Sequence, residues 1–173
     1  MFLALLPDNA ASLSLTRLAH ELRISYGLTG RPLLTPHFHV SLHSLGVSMA
    51  VRQSTLSLAA AVLRQIFERS FPVTFDRVVS FACQRPTHPI VLTESVENAP
   101  LHQLHHRLAA ALAPYDHSRR KKFTPHLTLL YDHRSVPEQQ IEPVSWVVRE
   151  IVLVDSWVGQ TKHVVHVRWP LRD

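Results

Sequence analysis

The chain has 173 residues and a mass of 19.7 kDa, a size that predicts one domain of ordinary dimensions. Hydrophobic residues make up 46% of it and charged residues 18%, so the composition excludes a disordered protein and predicts a packed core. The net charge of +5, with fifteen arginines among eighteen basic residues, favours an anionic partner, and thirteen histidines favour imidazole chemistry.

Other features of the sequence exclude whole classes of protein. Cys83 is the only cysteine, which excludes an internal disulfide framework, fits a reducing compartment and predicts a small buried side chain. The four glycines cannot form a glycine-rich phosphate loop, so ATP dependence is not expected. The apolar run 2–6 is too short for a signal sequence or a membrane span, and we interpret it as a strand. We therefore expect a cytoplasmic protein with no membrane partner.

The next elements in chain order are a helix and a strand. Apolar side chains at helical spacing predict a helix over 9–26, with Asp8 or Asn9 as its N-cap. The segment 37–43 then alternates strictly between polar and apolar residues. Because neighbouring side chains of a strand point to opposite faces, this pattern predicts a strand with one polar face.

Seven further elements are predicted in the rest of the chain. In order, they are a helix that follows Ser54 and includes Phe67 in its buried stripe, strands 73–82 and 90–93, a helix from Asn98 to Pro114, a strand over 123–131, and a closing hairpin of 146–157 and 163–171 around Gly159-Gln160. We expect three histidines of the later helix to lie on its solvated face: His102, His105 and His106.

The same order of strand, helix, loop and polar-faced strand occurs twice, over 2–45 and again over 89–131. Corresponding residues of the two segments are 87 positions apart, half the length of the chain. We infer a duplicated unit within a single domain spanning 1–173, in which two α+β lobes are related by a pseudo-two-fold axis and face a shared cleft.

The repeated signature is a histidine followed two residues later by a small hydroxyl side chain. It occurs as His39-Val40-Ser41-Leu42 and as His126-Leu127-Thr128-Leu129. On a strand, the imidazole and the hydroxyl share one face while the apolar residues anchor the other. Two imidazoles can divide the roles of base and acid, and two hydroxyls can bind phosphoryl oxygens, which suits in-line attack at phosphorus without a metal.

These residues resemble the two-histidine phosphoesterase superfamily, and within it the 2′-5′ RNA ligase and RNA 2′,3′-cyclic phosphodiesterase family. The resemblance extends over nearly the whole chain. It is carried by Arg31-Pro32 leading into His39-Val40-Ser41-Leu42 and Leu45-Gly46, by Phe123-Thr124-Pro125-His126-Leu127-Thr128-Leu129, and by Val152-Leu153-Val154-Asp155-Ser156 to Trp169-Pro170-Leu171.

The resemblance implies a bilobal α+β fold with antiparallel sheets lining a central cleft and helices outside. It implies catalytic roles for His39 and His126, phosphate binding by Ser41 and Thr128, and no cofactor. The implied substrate is RNA or a nucleotide that ends in a 2′,3′-cyclic phosphate. The implied enzyme is a metal-independent hydrolase that opens this cyclic phosphate to a 2′-phosphate. The related ligation joins RNA ends through a 2′-5′ bond. We expect a monomer. A departure is Tyr131, where the family often has arginine.

Several assignments stay open at this stage. The alternative function is a non-catalytic protein that binds RNA ends in the same cleft, and the alternative site is a metal cluster of His37, His39 and His43. Which histidine is acid and which is base also stays open, as does the choice between RNA ends and small cyclic nucleotides. Further candidates for substrate contact are His43, Tyr131, Phe123 and Lys122, the last with the rest of the basic run 118–122. We expect His37 and His43 at the rim of the cleft.

Overall fold

The computed structural model describes residues 1–46, 53–115, 122–157 and 162–173, with Trp157 and Lys162 described by their backbone alone. The elements are β1 (Phe2–Leu5), α1 (Asn9–Ser25), a 3₁₀ helix (Thr35–His37), β2 (Val40–Ser44), α2 (Gln53–Leu63), β3 (Phe71–Ser80), β4 (His88–Thr93), α3 (Ala99–Leu112), β5 (His126–Asp132), β6 (Gln139–Val148), β7 (Glu150–Trp157) and β8 (Lys162–Pro170).

The strands form one antiparallel sheet in the order β6-β3-β4-β5-β2-β1-β7-β8. The predicted α+β class is confirmed, and over the described residues the sheet is open, with β6 and β8 at its edges. The two expected sheets are joined into one because β2 and β5 pair at the centre, where Val40 is opposite Leu127. Four strands lie on each side of this junction, and we call these the β1 half and the β4 half.

The two halves have matching element orders and exchange their helices. β1-α1-β2 corresponds to β4-α3-β5, but α1 packs against β5 and β6 while α3 packs against β2. Each helix thus covers strands of the other half, so the apolar faces of the two halves are buried in one core. The duplication itself, and a single domain spanning 1–173, stay predictions.

Both long helices begin at side chains that accept a hydrogen bond from the first turn. The Asp8 Oδ1 atom accepts from the Ala11 amide at 2.8 Å, and the Asn98 Oδ1 atom accepts from the Leu101 amide at 3.0 Å. Such caps satisfy amide groups that have no partner within the helix. The buried stripe of α3 consists of Leu101, Leu104, Leu108 and Leu112.

Four expectations about local structure are wrong. The strand predicted over 37–43 begins only at Val40, because the preceding residues form the 3₁₀ helix. Phe67 lies beyond the end of α2 and is 61% exposed, and Cys83 is exposed in the turn after β3 rather than buried. The strand predicted over 146–157 is divided at Arg149 into the end of β6 and β7, and β6 was not predicted as a separate strand. β6 contains Pro143, which an edge strand tolerates because one side of its backbone has no partner strand.

None of the helices within the described residues is long and apolar enough to cross a membrane.

Candidate active site

The two repeated motifs meet where β2 pairs with β5. Extending the register from Val40 and Leu127 by one residue in each direction places His39 opposite Thr128 and Ser41 opposite His126. These four side chains share one face of the sheet and are all partly exposed, while Val40 and Leu127 are completely buried on the other. The junction therefore presents two imidazoles and two hydroxyls in a diagonal arrangement, each histidine beside the hydroxyl of the other motif.

Both histidines are held by the same hydrogen bond. The His39 Nδ1 atom lies 2.7 Å from the carbonyl oxygen of His37, and the His126 Nδ1 atom lies 2.8 Å from the carbonyl oxygen of Thr124. Because a carbonyl oxygen only accepts, each Nδ1 atom carries the hydrogen and donates it. In each ring Nε2 is then the nitrogen that can take up or give away a proton during a reaction.

A phenylalanine ring packs against each of these histidines. The ring centroids of Phe2 and His39 are 4.8 Å apart, and those of Phe81 and His126 are 5.1 Å apart. Sequence reasoning did not identify either phenylalanine as part of the site. No local signal could have done so, because the 87-residue offset does not relate Phe2 to Phe81 and both rings approach from elements outside the motifs.

The surroundings of His39 lower its pKa. Burial is the largest cause, the hydrogen bond to the His37 carbonyl opposes it, and the nearby rings of His126 and His37 lower the pKa further. A histidine with a lowered pKa is neutral at pH 7, with Nε2 free to accept a proton.

A matching irregularity in β2 and β5 changes which side chains face the site. In the pairing of β2 with β1 the register skips Leu42, and in the pairing of β5 with β4 it skips Leu129. The extra residue is a β-bulge, after which the alternation of faces is inverted. Tyr131 consequently shares the face of the catalytic candidates in β5 and is 44% exposed, although strict alternation would have buried it.

The same inversion moves His43 away from the face of His39, so the expectation that it lines the cleft rim is wrong. His43 instead acts electrostatically on His105 of α3. His37 is not at the rim either, since it is 8% exposed within the 3₁₀ helix. His43 is therefore set apart from His37 and His39, and among the described residues no three side chains of metal-binding type converge.

His163 of β8 is an additional member of the site. Its ring lies 5.3 Å from the ring of His39 and 4.8 Å from the ring of His37, edge-on to both. Sequence reasoning left His163 unassigned because nothing around it repeats the two motifs. Its contact arises where the 3₁₀ helix packs against β8, although β8 lies three strands away from β2 in the sheet.

Phe123 and Lys122 are placed differently from the four central side chains. The Phe123 ring stacks on His105 at 3.8 Å and meets His102 edge-on at 5.3 Å, so α3 covers one of its faces. The solvated face expected for His102 and His105 is therefore wrong, whereas His106 is exposed as expected. His102 also pairs with Glu94 at 2.6 Å. Lys122 is exposed, and the remainder of the basic run, 118–121, lies outside the described residues.

A cation that sequence reasoning did not assign lies beside Tyr131. The loop before the 3₁₀ helix runs along β5, where Pro32 pairs with Leu130 and the Leu33 amide donates to the Leu129 carbonyl at 2.8 Å. Continuing this antiparallel register places Arg31 opposite Tyr131.

The loop is fixed there by a buried carboxylate. The Asp132 side chain, 1% exposed, accepts hydrogen bonds from the amides of Thr29 and Gly30 at 2.6 and 2.5 Å. Burial by itself would raise its pKa, but these bonds and one from the Arg134 amide outweigh it and lower the pKa. Among the described residues, Arg31 forms no ion pair with a carboxylate.

The fold is shared with several solved structures. TT0787 of Thermus thermophilus matches with a TM-score of 0.78 and 20% identity, over 99% of this chain and 97% of that chain. E. coli LigT in complex with 3′-AMP matches with a TM-score of 0.71 and 24% identity, over 99% and 97%. Usb1 of Kluyveromyces marxianus matches with a TM-score of 0.56 and 13% identity, over 98% and 97%. At these identities the likeness shows the fold alone.

The sequence itself identifies the family. No curated protein matches the chain. The profile of the 2′-5′ RNA ligase superfamily, however, matches residues 7–159, which include both histidine motifs. This match and the structural neighbours agree with the resemblance to two-histidine phosphoesterases. The chain therefore belongs to the 2′-5′ RNA ligase superfamily of phosphoesterases and ligases.

Proposed function

We propose that this protein is a metal-independent cyclic phosphodiesterase that opens ribose 2′,3′-cyclic phosphates to 2′-phosphates. The observation that carries the proposal is the mirrored geometry at the β2-β5 junction. Two imidazoles, each anchored through Nδ1 and free at Nε2, lie beside two hydroxyl side chains on one face. General acid–base catalysis at phosphorus needs one proton acceptor, one proton donor and hydrogen-bond donors for the non-bridging oxygens.

The reaction balances with these groups alone. One histidine removes a proton from water as the water oxygen attacks phosphorus, and the bond from phosphorus to the 3′ oxygen breaks. The other histidine gives its proton to the departing 3′ oxygen, which leaves a 2′-phosphate and a free 3′ hydroxyl. The hydroxyls of Ser41 and Thr128 bind the non-bridging oxygens, whose charge grows in the transition state.

The same arrangement can join RNA ends. If a 5′ hydroxyl of a second RNA takes the place of water, the identical proton transfers form a 2′-5′ phosphodiester. We therefore include 2′-5′ ligation as a related activity of the site. The aromatic rings of Phe2 and Phe81 beside the two histidines favour a ligand that carries a nucleobase.

Structural neighbours support the class of ligand. Crystal structures of E. coli LigT contain 3′-AMP, ATP or NADP+, all of which carry a ribose and phosphate. We propose that this chain likewise binds RNA ends or nucleotides, and we expect it to act as a monomer in the cytoplasm. Tyr131 and Lys122 are proposed substrate contacts, whereas the placement of Phe123 and His43 against α3 favours a packing role for both.

The test is turnover of a panel of 2′,3′-cyclic nucleotides and RNAs with cyclic ends, with the product identified by phosphorus NMR. We expect a 2′-phosphate, activity that survives EDTA, and loss of activity in His39→Ala and in His126→Ala with an unchanged circular dichroism spectrum. His133→Ala is the matched control, because this exposed histidine contacts only the Pro86 carbonyl among the described residues. Tight binding of cyclic ends without any turnover would instead favour the RNA-end binding protein.

A further inference from the structure

The ring of His39 is packed more closely than its counterpart in the other motif. Phe2 lies against it, and His163 meets it edge-on at 5.3 Å with an angle of 67° between the ring planes. Among the described residues, the ring of His126 is in direct ring contact with one other ring, that of Phe81. The additional contact in the β1 half comes from β8, which is not part of the repeated unit.

His163 also supports the residue that anchors His39. The ring of His163 lies 4.8 Å from the ring of His37 at an angle of 87°, and the carbonyl of His37 accepts the hydrogen bond from His39 Nδ1. Phe2 completes the cluster at 5.8 Å from His163. Edge-to-face contacts of this kind fix the relative orientation of rings in addition to burying them. The His39 ring is thus held at Nδ1 and along its side.

We propose that His163 is a positioning residue that holds the ring of His39 in its enclosed orientation, so that His39 begins the reaction as the proton acceptor and His126 as the donor. This inference rests on the proposed cyclic phosphodiesterase activity and assigns the two roles that the sequence leaves open. It follows from enclosure, because an enclosed imidazole is favoured in its neutral form.

The charges around the cluster agree with this assignment. The pKa of His163 is lowered to about 4, first by burial and then by His39 and His37, so its ring is neutral at pH 7. The ionisable groups acting on His39 are His37 from the 3₁₀ helix and His126 from β5, and both lower its pKa. Phe2 from β1 is uncharged. Among the described residues no carboxylate contributes to the pKa of either ring, so nothing there stabilises a charged His39 before substrate binds.

The experiment compares His163→Ala, which removes the ring, with His163→Phe, which keeps a ring and removes its nitrogens. The readouts are kcat and kcat/KM for a 2′,3′-cyclic nucleotide from pH 4.5 to 9. We expect His163→Ala to lower kcat by about 10- to 100-fold, the scale of a misplaced catalytic group. The acidic limb of the pH profile of His163→Ala should move to higher pH, because the pKa of a less buried His39 rises toward its usual value. His163→Phe should retain wild-type kcat within about threefold and leave the acidic limb in place.

His166→Ala is the matched control, since this histidine of β8 faces Asp155 at 3.7 Å and has no contact with the ring cluster among the described residues. Equal kcat and pH limbs in wild type, His163→Ala and His163→Phe would overturn the positioning role. Movement of the alkaline limb in place of the acidic one would overturn the assignment of His39 as acceptor. If the wild type has no turnover, the proposed function itself fails, and NMR titration of the His39 ring in the same variants still tests the positioning contact.

Discussion

The two halves of the site use the same catalytic groups in unequal surroundings. In both, a histidine donates through Nδ1 to the carbonyl two residues earlier and contacts one phenylalanine. Within the part of the chain that the structure describes, the β1 half alone adds His163 and a buried His37 to these contacts. The comparison shows how a repeated motif can supply two chemically identical groups while an element outside the repeat makes their roles different.

The largest expected effect comes from removing His39 or His126. The pH dependence of the remaining activity would distinguish the roles of these two histidines. His39→Ala and His126→Ala should each lower kcat/KM by about 10²- to 10⁴-fold, because each removes one proton-transfer group. If His39 is the acceptor, activity rises as the pH increases through its lowered pKa. The residual activity of His39→Ala should therefore lack the acidic limb, and that of His126→Ala should lack the alkaline limb. The same missing limb in both variants would contradict the unequal roles.

The two hydroxyls should have smaller and similar effects, since they belong to the part of the site that is symmetric. Ser41→Ala and Thr128→Val should each lower kcat by about 10²-fold, the usual effect of losing one hydrogen-bond donor to a developing charge. Ser41→Thr is the control and should stay near wild type, because it keeps the hydroxyl. Steady-state kinetics would check this, and a loss confined to KM would argue against a role in the transition state.

A third prediction concerns the cation beside the β4 half. Arg31 lies opposite Tyr131 on the loop that Asp132 anchors, so Arg31→Ala should raise KM for a cyclic nucleotide by about tenfold, as expected for a lost charge-assisted contact to phosphate. Tyr131→Arg restores a cation at the paired position and should recover most of the loss in the double variant. Arg23→Ala, on the exposed side of α1, is the control. If KM in the double variant stays as high as in Arg31→Ala, a cation at position 131 cannot replace the one at position 31.

The smallest expected effect is on the free energy of unfolding, and it concerns His105 of α3 and His163 of β8. The pKa of His105 is lowered to about 4, first by burial and then by His43, His102 and His106, and that of His163 is lowered to about 4 as well. Because the unfolded chain binds these protons near pH 6.5, it binds more protons than the native state between pH 4 and 6.5. The free energy of unfolding should therefore fall as the pH falls through this window.

Urea unfolding of wild type and His105→Phe at pH 7 and pH 5 would measure this difference. We expect His105→Phe to be less sensitive to acid, with His106→Phe as the control because His106 is an exposed neighbour on the same helix. The pKa of His163 is lowered in the same way, so His163→Phe should flatten the dependence as well. If the free energy of unfolding depends on pH in His105→Phe as it does in wild type, then the stacking of His105 on Phe123 does not lower the pKa of His105.

Much of the molecule was predictable because its signals are local. The caps at Asp8 and Asn98 and the buried stripe of α3 depend on residues within a few positions of one another. The offset of 87 residues between the motifs needed no structure, and it indicated that His39 and His126 belong to one site. Period-two alternation then assigned the imidazole and hydroxyl of each motif to a common face.

The tertiary structure decided what depends on neighbouring strands. The bulges at Leu42 and Leu129 arise in the pairing with β1 and β4, and they turn His43 toward α3 and Tyr131 toward the cleft against the local alternation. The contact of His163 with His39 depends on the packing of the 3₁₀ helix against β8, a strand three positions away from β2 in the sheet. The sequence by itself thus determined which groups carry the chemistry. The packing of distant strands determined how each is enclosed, because burial and ring contacts are properties of residues brought together only by folding.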